Sequence, residues 1–181
     1  GREDIRYIPN ADHSLKGSDA RDSVVAYYWT VVTGTPRPKY SWTFEHDGSI
    51  DVRTSDRPRA VTLWQATNPK ARDFRLMTIG KAFQAHPLKD LGGGHYVGQI
   101  ESPKQGWTAS FVELTFDVGA PFPLKVTTAV RVTPDTLPYR DIDPSKATNE
   151  VRPHTERKRG QVSRTKVPAK QPGAQQAAQA N

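Results

Sequence analysis

The chain has 181 residues, no cysteine, 15 prolines, a hydrophobic fraction of 35% and a formal net charge of +7. That length suits one domain or two small ones, and the composition is too polar and proline-rich for a chain that folds throughout. The charge is uneven: Pro138 to Asn181 holds nine Lys/Arg against four Asp/Glu, a net of +5, and the rest carries 17 basic and 15 acidic residues, a net of only +2. The basic character therefore belongs to the end of the chain, and the remainder gives no reason to expect nucleic acid. Without cysteine there are no disulfides and no thiol chemistry, a composition compatible with either an exported or a cytosolic life. No apolar run approaches the roughly 18 to 20 residues of a membrane span. No signal-peptide pattern opens the chain, which starts at Gly1 and almost directly on a strand. It reads as the C-terminal piece of something longer.

Ile5-Arg6-Tyr7-Ile8 suits a mostly buried strand. Pro9 and Asn10 end it, and a polar loop carrying His13 follows. An amphipathic helix is expected from about Ser18 to Gly34. Ser18 or Asp19 can cap it, and Asp19 and Asp22 suit the positive end of its dipole. Ala20, Val24, Tyr28, Val31 and Val32 recur at spacings of three and four and form one apolar face, which Val25 and Trp29 widen. Gly34 suits the position after the helix, and Pro36 forbids continuation. One strand and one helix cannot bury such a face, so it requires a sheet to lie on.

After the stiff linker Thr35 to Lys39 the pattern changes to period two. Tyr40, Trp42 and Phe44 alternate with polar residues, His46-Asp47-Gly48-Ser49 makes a hairpin turn, and Ile50 and Val52 return. Further strands are expected at Ala60 to Ala66, at Phe74 to Thr78, at Tyr96 to Ile100 after Gly92-Gly93-Gly94, at Gly106 to Phe116 and at Leu124 to Val132. Seven short strands with turns between them predict a β-sandwich of immunoglobulin or fibronectin type. From about Tyr139 the periodicity disappears, and a Pro/Gln/Ala-rich basic tail with too little apolar surface to order itself follows. The expected organisation is thus mainly β. Residues 1–35 form a terminal strand-loop-helix piece of the kind that closes an α/β-hydrolase sheet, 36–138 a seven-stranded sandwich, and 139–181 a disordered tail.

Four strings, YIPNADHSL, WQATNPKARDFRL, GWTASFVELTF and TTAVRVTPDTLP, occur in this order between Tyr7 and Pro138. With them the chain resembles the PhoPQ-activated pathogenicity-related protein family. The resemblance implies an exported, α/β-hydrolase-like protein with a C-terminal all-β domain, of which this chain would be the final part. It would supply the last core strand, the histidine loop, the last helix and the β-domain, without the hydrolase body.

His13 is the candidate catalytic residue. A serine hydroxyl needs a base within hydrogen-bond reach and a third group to orient that base. In α/β-hydrolases the chain order is serine, acid, histidine, so the histidine comes last, before the final helix. His13 stands there. No G-x-S-x-G elbow occurs, Ser14 and Ser18 lack the strand-turn-helix context of a nucleophile, and Asp12 reads as a turn carboxylate rather than the orienting acid. The chain alone is therefore expected to be inactive.

The histidines at 13, 46, 86, 95 and 154 show no metal-ligand spacing, and neither a metal nor any other cofactor is expected. Gly92-Gly93-Gly94 leads into a strand, so it reads as a flexible hairpin connection and not as a phosphate cradle. Asn68 to Asp73 reads as a self-satisfied turn in which Arg72 pairs with a nearby acid. Trp42, Trp64 and Trp107 read as core residues rather than a sugar-stacking surface. Arg157-Lys158-Arg159 suits weak contact with anionic surfaces and not specific nucleic-acid recognition. The helix face of Val24, Tyr28, Val31 and Val32 suits contact with the missing hydrolase body or with another copy. The alternative to a hydrolase part is a β-sandwich that binds carbohydrate or a protein partner.

Overall fold

In this computed structural model residues 4–137 are described, and the expected tail, with His154 and Arg157-Lys158-Arg159, lies outside them. The described residues form two antiparallel sheets and a helix. The helix α1 spans Ala20–Thr33, and the strands are β1 (Tyr40–Phe44), β2 (Ile50–Thr54), β3 (Ala60–Asn68), β4 (Gln84–Pro87), β5 (His95–Gly98), β6 (Trp107–Phe116), β7 (Leu124–Thr127) and β8 (Arg131–Thr133). One sheet has the order β1-β2-β5; the other has the order β4-β3-β6-β7, with β8 also pairing β6.

Alternation decides which residues meet between the sheets. Ile50, Val52 and Tyr96 come from the three-stranded sheet. Val61, Leu63, Val112, Leu114, Phe116, Leu124 and Val126 come from the five-stranded sheet, and all are buried. Tyr40 and Trp42 pack partly buried against them. The β3–β6 ladder runs without interruption from Ala60↔Thr115 to Asn68↔Trp107. It is the spine of the fold. Two close approaches demand glycine. A Cβ on Gly106 (φ +76) would lie 2.1 Å from the Asn68 carbonyl oxygen, and one on Gly94 (φ +77) would lie 2.1 Å from that of Thr54.

Four expectations need correction. The strand at Ile5 to Ile8 is reduced to one bridge, Ile5↔Thr127, because its partner is the edge strand β7 of the sandwich and the chain soon leaves that edge. Phe74 to Thr78 is not a strand: a short helix, α2 (Leu76–Ile79), forms there instead. The Asp73 carboxylate accepts bonds from the Arg75 backbone N–H and from the Thr78 hydroxyl, and so winds the chain locally. The strand that does follow is β4, whose fully exposed pattern carries no apolar signal. The last expected strand is split into β7 and β8. Between them Thr128 bonds Val112 in both directions, its N–H donating to the Val112 carbonyl and its Oγ1 accepting from the Val112 N–H.

Helix α1 ends at Gly34 in the left-handed conformation, as expected. The face it buries is not the expected one. Ser23, Ala26 and Thr30 are buried, whereas Val24, Tyr28, Val31 and Val32 are 60–67% exposed. The helix packs beside β7, and the small side chain of Ala26 joins the core cluster. Close approach to the sheet edge selects the small residues, and the large ones are turned outward. Covering β7 in this way also shields an edge strand that would otherwise offer unpaired backbone groups.

Candidate functional site

The histidine loop is built on the outer face of the five-stranded sheet. The Thr127 N–H donates to the Ile5 carbonyl at 2.8 Å, and the Tyr7 N–H donates to Thr127 Oγ1 at 3.1 Å. The Tyr7 ring lies 6.0 Å from Phe111, which also meets Phe83 at 5.7 Å. Asn10, with φ +57, reverses the chain. Its Nδ2 donates to the Phe83 carbonyl at 2.9 Å and its Oδ1 accepts from the Phe83 N–H at 3.0 Å. One side-chain amide thus fixes the loop to the residue preceding β4.

The Asp12 carboxylate caps the next turn, accepting from the Ser14 N–H at 2.9 Å and from Ser14 Oγ at 2.6 Å. These Ser14 bonds, hydroxyl first, hold its carboxyl below the usual carboxylate range. Both side chains are thereby occupied with each other, in keeping with a turn role for Asp12 and Ser14. His13 stands exposed between them at the tip of the loop.

Behind the loop lies an ionic cluster that sequence spacing did not reveal. Arg6 Nη2 bonds Asp19 Oδ1 at 2.6 Å, and Lys125 Nζ bonds Asp19 Oδ2 at 2.7 Å. Both cations also reach the buried Glu113, each at 3.5 Å, and the Arg6 guanidinium donates to Ser23 Oγ. Burial pushes the Asp19 carboxyl up, but the bonds from Lys125 and Arg6 outweigh it, and the group sits below its ordinary value. Asp19 occupies the N-cap position of α1 without capping it, because its carboxylate is drawn to these cations. Two cations and two carboxylates tie the N-terminal segment, the start of α1, β6 and β7 together.

The other candidates resolve into local structure. Asn68 Oδ1 accepts from the N–H groups of Lys70 and Ala71, and its Nδ2 donates to the Asp73 carbonyl. The turn is self-satisfied, although Arg75 and not Arg72 pairs with Asp73. The Gly92-Gly93-Gly94 connection wraps a carboxylate of its own chain: Asp90 Oδ1 accepts from the N–H groups of Gly92, Gly94 and His95. His95 is paired with Asp51 at 2.5 Å across β5 and β2. Among the described residues no group of three or more His, Cys, Asp or Glu gathers as a metal site. No described helix is long and apolar enough to cross a membrane.

The class defined by this architecture is a two-sheet antiparallel β-domain bearing on one face a tethered histidine loop and along one edge a helix with outward apolar residues. Residues 1–75 match the model of the PhoPQ-activated pathogenicity-related protein family, which bears out the resemblance carried by YIPNADHSL and by WQATNPKARDFRL up to Arg75; GWTASFVELTF and TTAVRVTPDTLP lie beyond the matched residues. The chain is also 30% identical over 160 residues to autocrine proliferation repressor protein A of Dictyostelium discoideum, a match covering 75% of this chain and 32% of that protein. The chain therefore spans about a third of the length of this curated relative. No solved structure matches it.

Proposed function

We propose that this chain is the C-terminal part of an α/β-hydrolase-like protein and that His13 is the base of its catalytic triad, the serine and the acid being supplied by a body that precedes it. The observation that carries this reading is the outward face of α1. Val24, Tyr28, Val31 and Val32 form an exposed apolar surface that a β-domain complete in itself has no reason to maintain. A hydrolase sheet laid on that face would bury it and bring its strand ends beside the histidine loop. The fixed loop and the unoccupied His13 tip support the same reading, since a triad base must be positioned before it can accept a proton. The family's description as pathogenicity-related favours an exported protein.

The β-domain belongs to the immunoglobulin/fibronectin group. In the immunoglobulin arrangement the first, second and fifth strands share one sheet and the third, sixth and seventh share the other. Here β1, β2 and β5 face β3, β6 and β7, with the fourth strand paired to the third.

The decisive experiment compares the 181-residue chain with a longer version that carries the preceding body. The isolated chain is expected to leave p-nitrophenyl acetate unhydrolysed above the buffer rate. His13→Ala in the longer protein is expected to lower turnover by about 10³-fold or more, with unchanged thermal unfolding. Hydrolysis by the isolated chain that disappears in His13→Ala would overturn the reading, as would a fully active His13→Ala long form.

A further inference from the structure

The inward faces of β3 and β6 change character halfway along. On β3 the inward positions read Val61, Leu63, Gln65, Thr67; on β6 they read Phe116, Leu114, Val112, Ser110, Thr108. A sandwich interior is ordinarily apolar along its whole length, and polar residues at inward positions call for a reason. The strands of the opposing sheet span only four or five residues, against nine and ten for β3 and β6, so the long pair runs on past the packed core. Beyond the core lies an open cleft of about 770 Å³. Its floor is Gln65, Thr67 and Thr108, Gln84 and His86 of β4 form one wall, and the connection from Gln99 to Gln105 stands over it.

Few of the cleft's polar groups are used to hold the fold together. Thr67 and Thr108 bond each other at 2.8 Å, and Gln65 makes one long bond of 3.4 Å to the Gln99 carbonyl. No hydrogen bond among the described residues engages the side chains of Gln84, His86 or Gln105. Ser110, the next inward position of β6, is wholly buried with its hydroxyl unpartnered and does not line the cleft. The lining also selects a ligand chemistry. Glu101 and Lys104 offset each other, which disfavours phosphates and cations alike, and no Phe, Tyr, Trp or large aliphatic side chain lines the cleft, which disfavours bulky apolar ligands. Primary amides and hydroxyls each donate and accept, the complement of a neutral ligand rich in hydroxyl groups.

We infer that this cleft is a binding site for a neutral, hydroxyl-rich ligand, an oligosaccharide held by hydrogen bonds from Gln65, Gln84 and Gln105. It is separate from the role proposed for His13 and does not depend on it. The two parts of the chain are nevertheless joined: the histidine loop is anchored through Asn10 to Phe83, and the next residue, Gln84, forms the cleft wall.

The test is titration of the ¹⁵N-labelled 181-residue protein with maltotriose, cellotriose, laminaritriose and chitotriose, following the side-chain NH₂ signals of Gln84 and Gln105. Inorganic phosphate and trialanine serve as the comparison probes. At least one trisaccharide is expected to shift both signals saturably, while phosphate and trialanine leave them in place. Gln84→Leu with Gln105→Leu is expected to keep the backbone spectrum and to weaken that binding by roughly tenfold or more. The inference fails if none of the trisaccharides gives a saturable shift, if phosphate or trialanine alone does, or if the double variant binds undiminished.

Discussion

The sandwich and the N-terminal piece are held by different physics. Between the sheets, Ile50, Val52, Val112 and Leu114 are wholly inaccessible and interlock by shape and apolar contact. Residues 4–34 are attached chiefly by polar contacts, among them the Ile5–Thr127 bridge, the Asn10 amide, the Asp4–Arg37 ion pair and the Arg6–Asp19–Lys125–Glu113 cluster, with an aromatic contact and three small buried residues beside them. The sandwich spends its large apolar side chains inward, whereas α1 turns its own outward. The N-terminal piece thus leaves a large apolar surface, Val24, Tyr28, Val31 and Val32, uncovered among the described residues. The sandwich already has its core.

The contrast can be broken most severely at the centre of the sandwich. Leu114→Ala removes a side chain with no exposure and is expected to cost about 3 kcal/mol in urea unfolding, with both sheets lost together. A cost below about 1 kcal/mol would mean the core is not the source of the stability. Asn10→Ala deletes both bonds to Phe83 and is expected to cost about 1 to 2 kcal/mol. Proteolysis should then accelerate in the histidine loop and not in β6; equal acceleration in both would deny the loop its separate attachment.

Acid sharpens the comparison further. The Asp19 carboxyl lies below its ordinary value of 3.8 in the folded protein, so its contribution is complete above about pH 4 and is lost as pH falls through the lower folded value. Hydrogen exchange in α1 is expected to rise over that range before exchange in β6, and Asp19→Asn should abolish the pH dependence of that difference. The smallest effect belongs to the outward face. Val24→Ser with Tyr28→Ser is expected to change stability by less than about 0.5 kcal/mol and to reduce self-association in sedimentation. A cost of about 2 kcal/mol would show that the face is packed within this chain.

Much of the sandwich was legible because its signals are local. The Asp47-Gly48 turn between Tyr40-Trp42-Phe44 and Ile50-Val52 announces a hairpin, and Val61 and Leu63 mark the inward face of β3; in β6 the apolar residues change parity between Phe111 and Val112 and nearly every position is buried, so alternation does not single out its inward face. β4 could not be read, because Gln84–Pro87 pairs only with β3 and lies exposed, so no apolar pattern was required of it. The Leu76–Ile79 turn depends on the Asp73 carboxylate, a side-chain effect that outweighs the weak alternation around Phe74. The buried face of α1 differs from the one periodicity indicates for a definite reason. Periodicity locates the large apolar residues, but close packing beside β7 buries the small ones, Ser23, Ala26 and Thr30. The position of His13 in its loop followed from Pro9-Asn10 and the helix start. The clamp beneath it, from Asn10 to Phe83, and the pairing of Asp19 with Lys125 join residues distant along the chain and leave no local trace.

The Asn10 clamp has a mechanical consequence on the reading proposed above. It makes the base a passenger of the β-domain rather than of the body that would hold the nucleophile. Where one rigid sheet sets all three positions of a triad their spacing is fixed; here the gap between histidine and serine would vary with the angle between two lobes. A rotation of one lobe on the outward helix face would draw the proton acceptor toward the serine or carry it out of reach, and a tilt of the β-domain would then act as the throttle of the reaction.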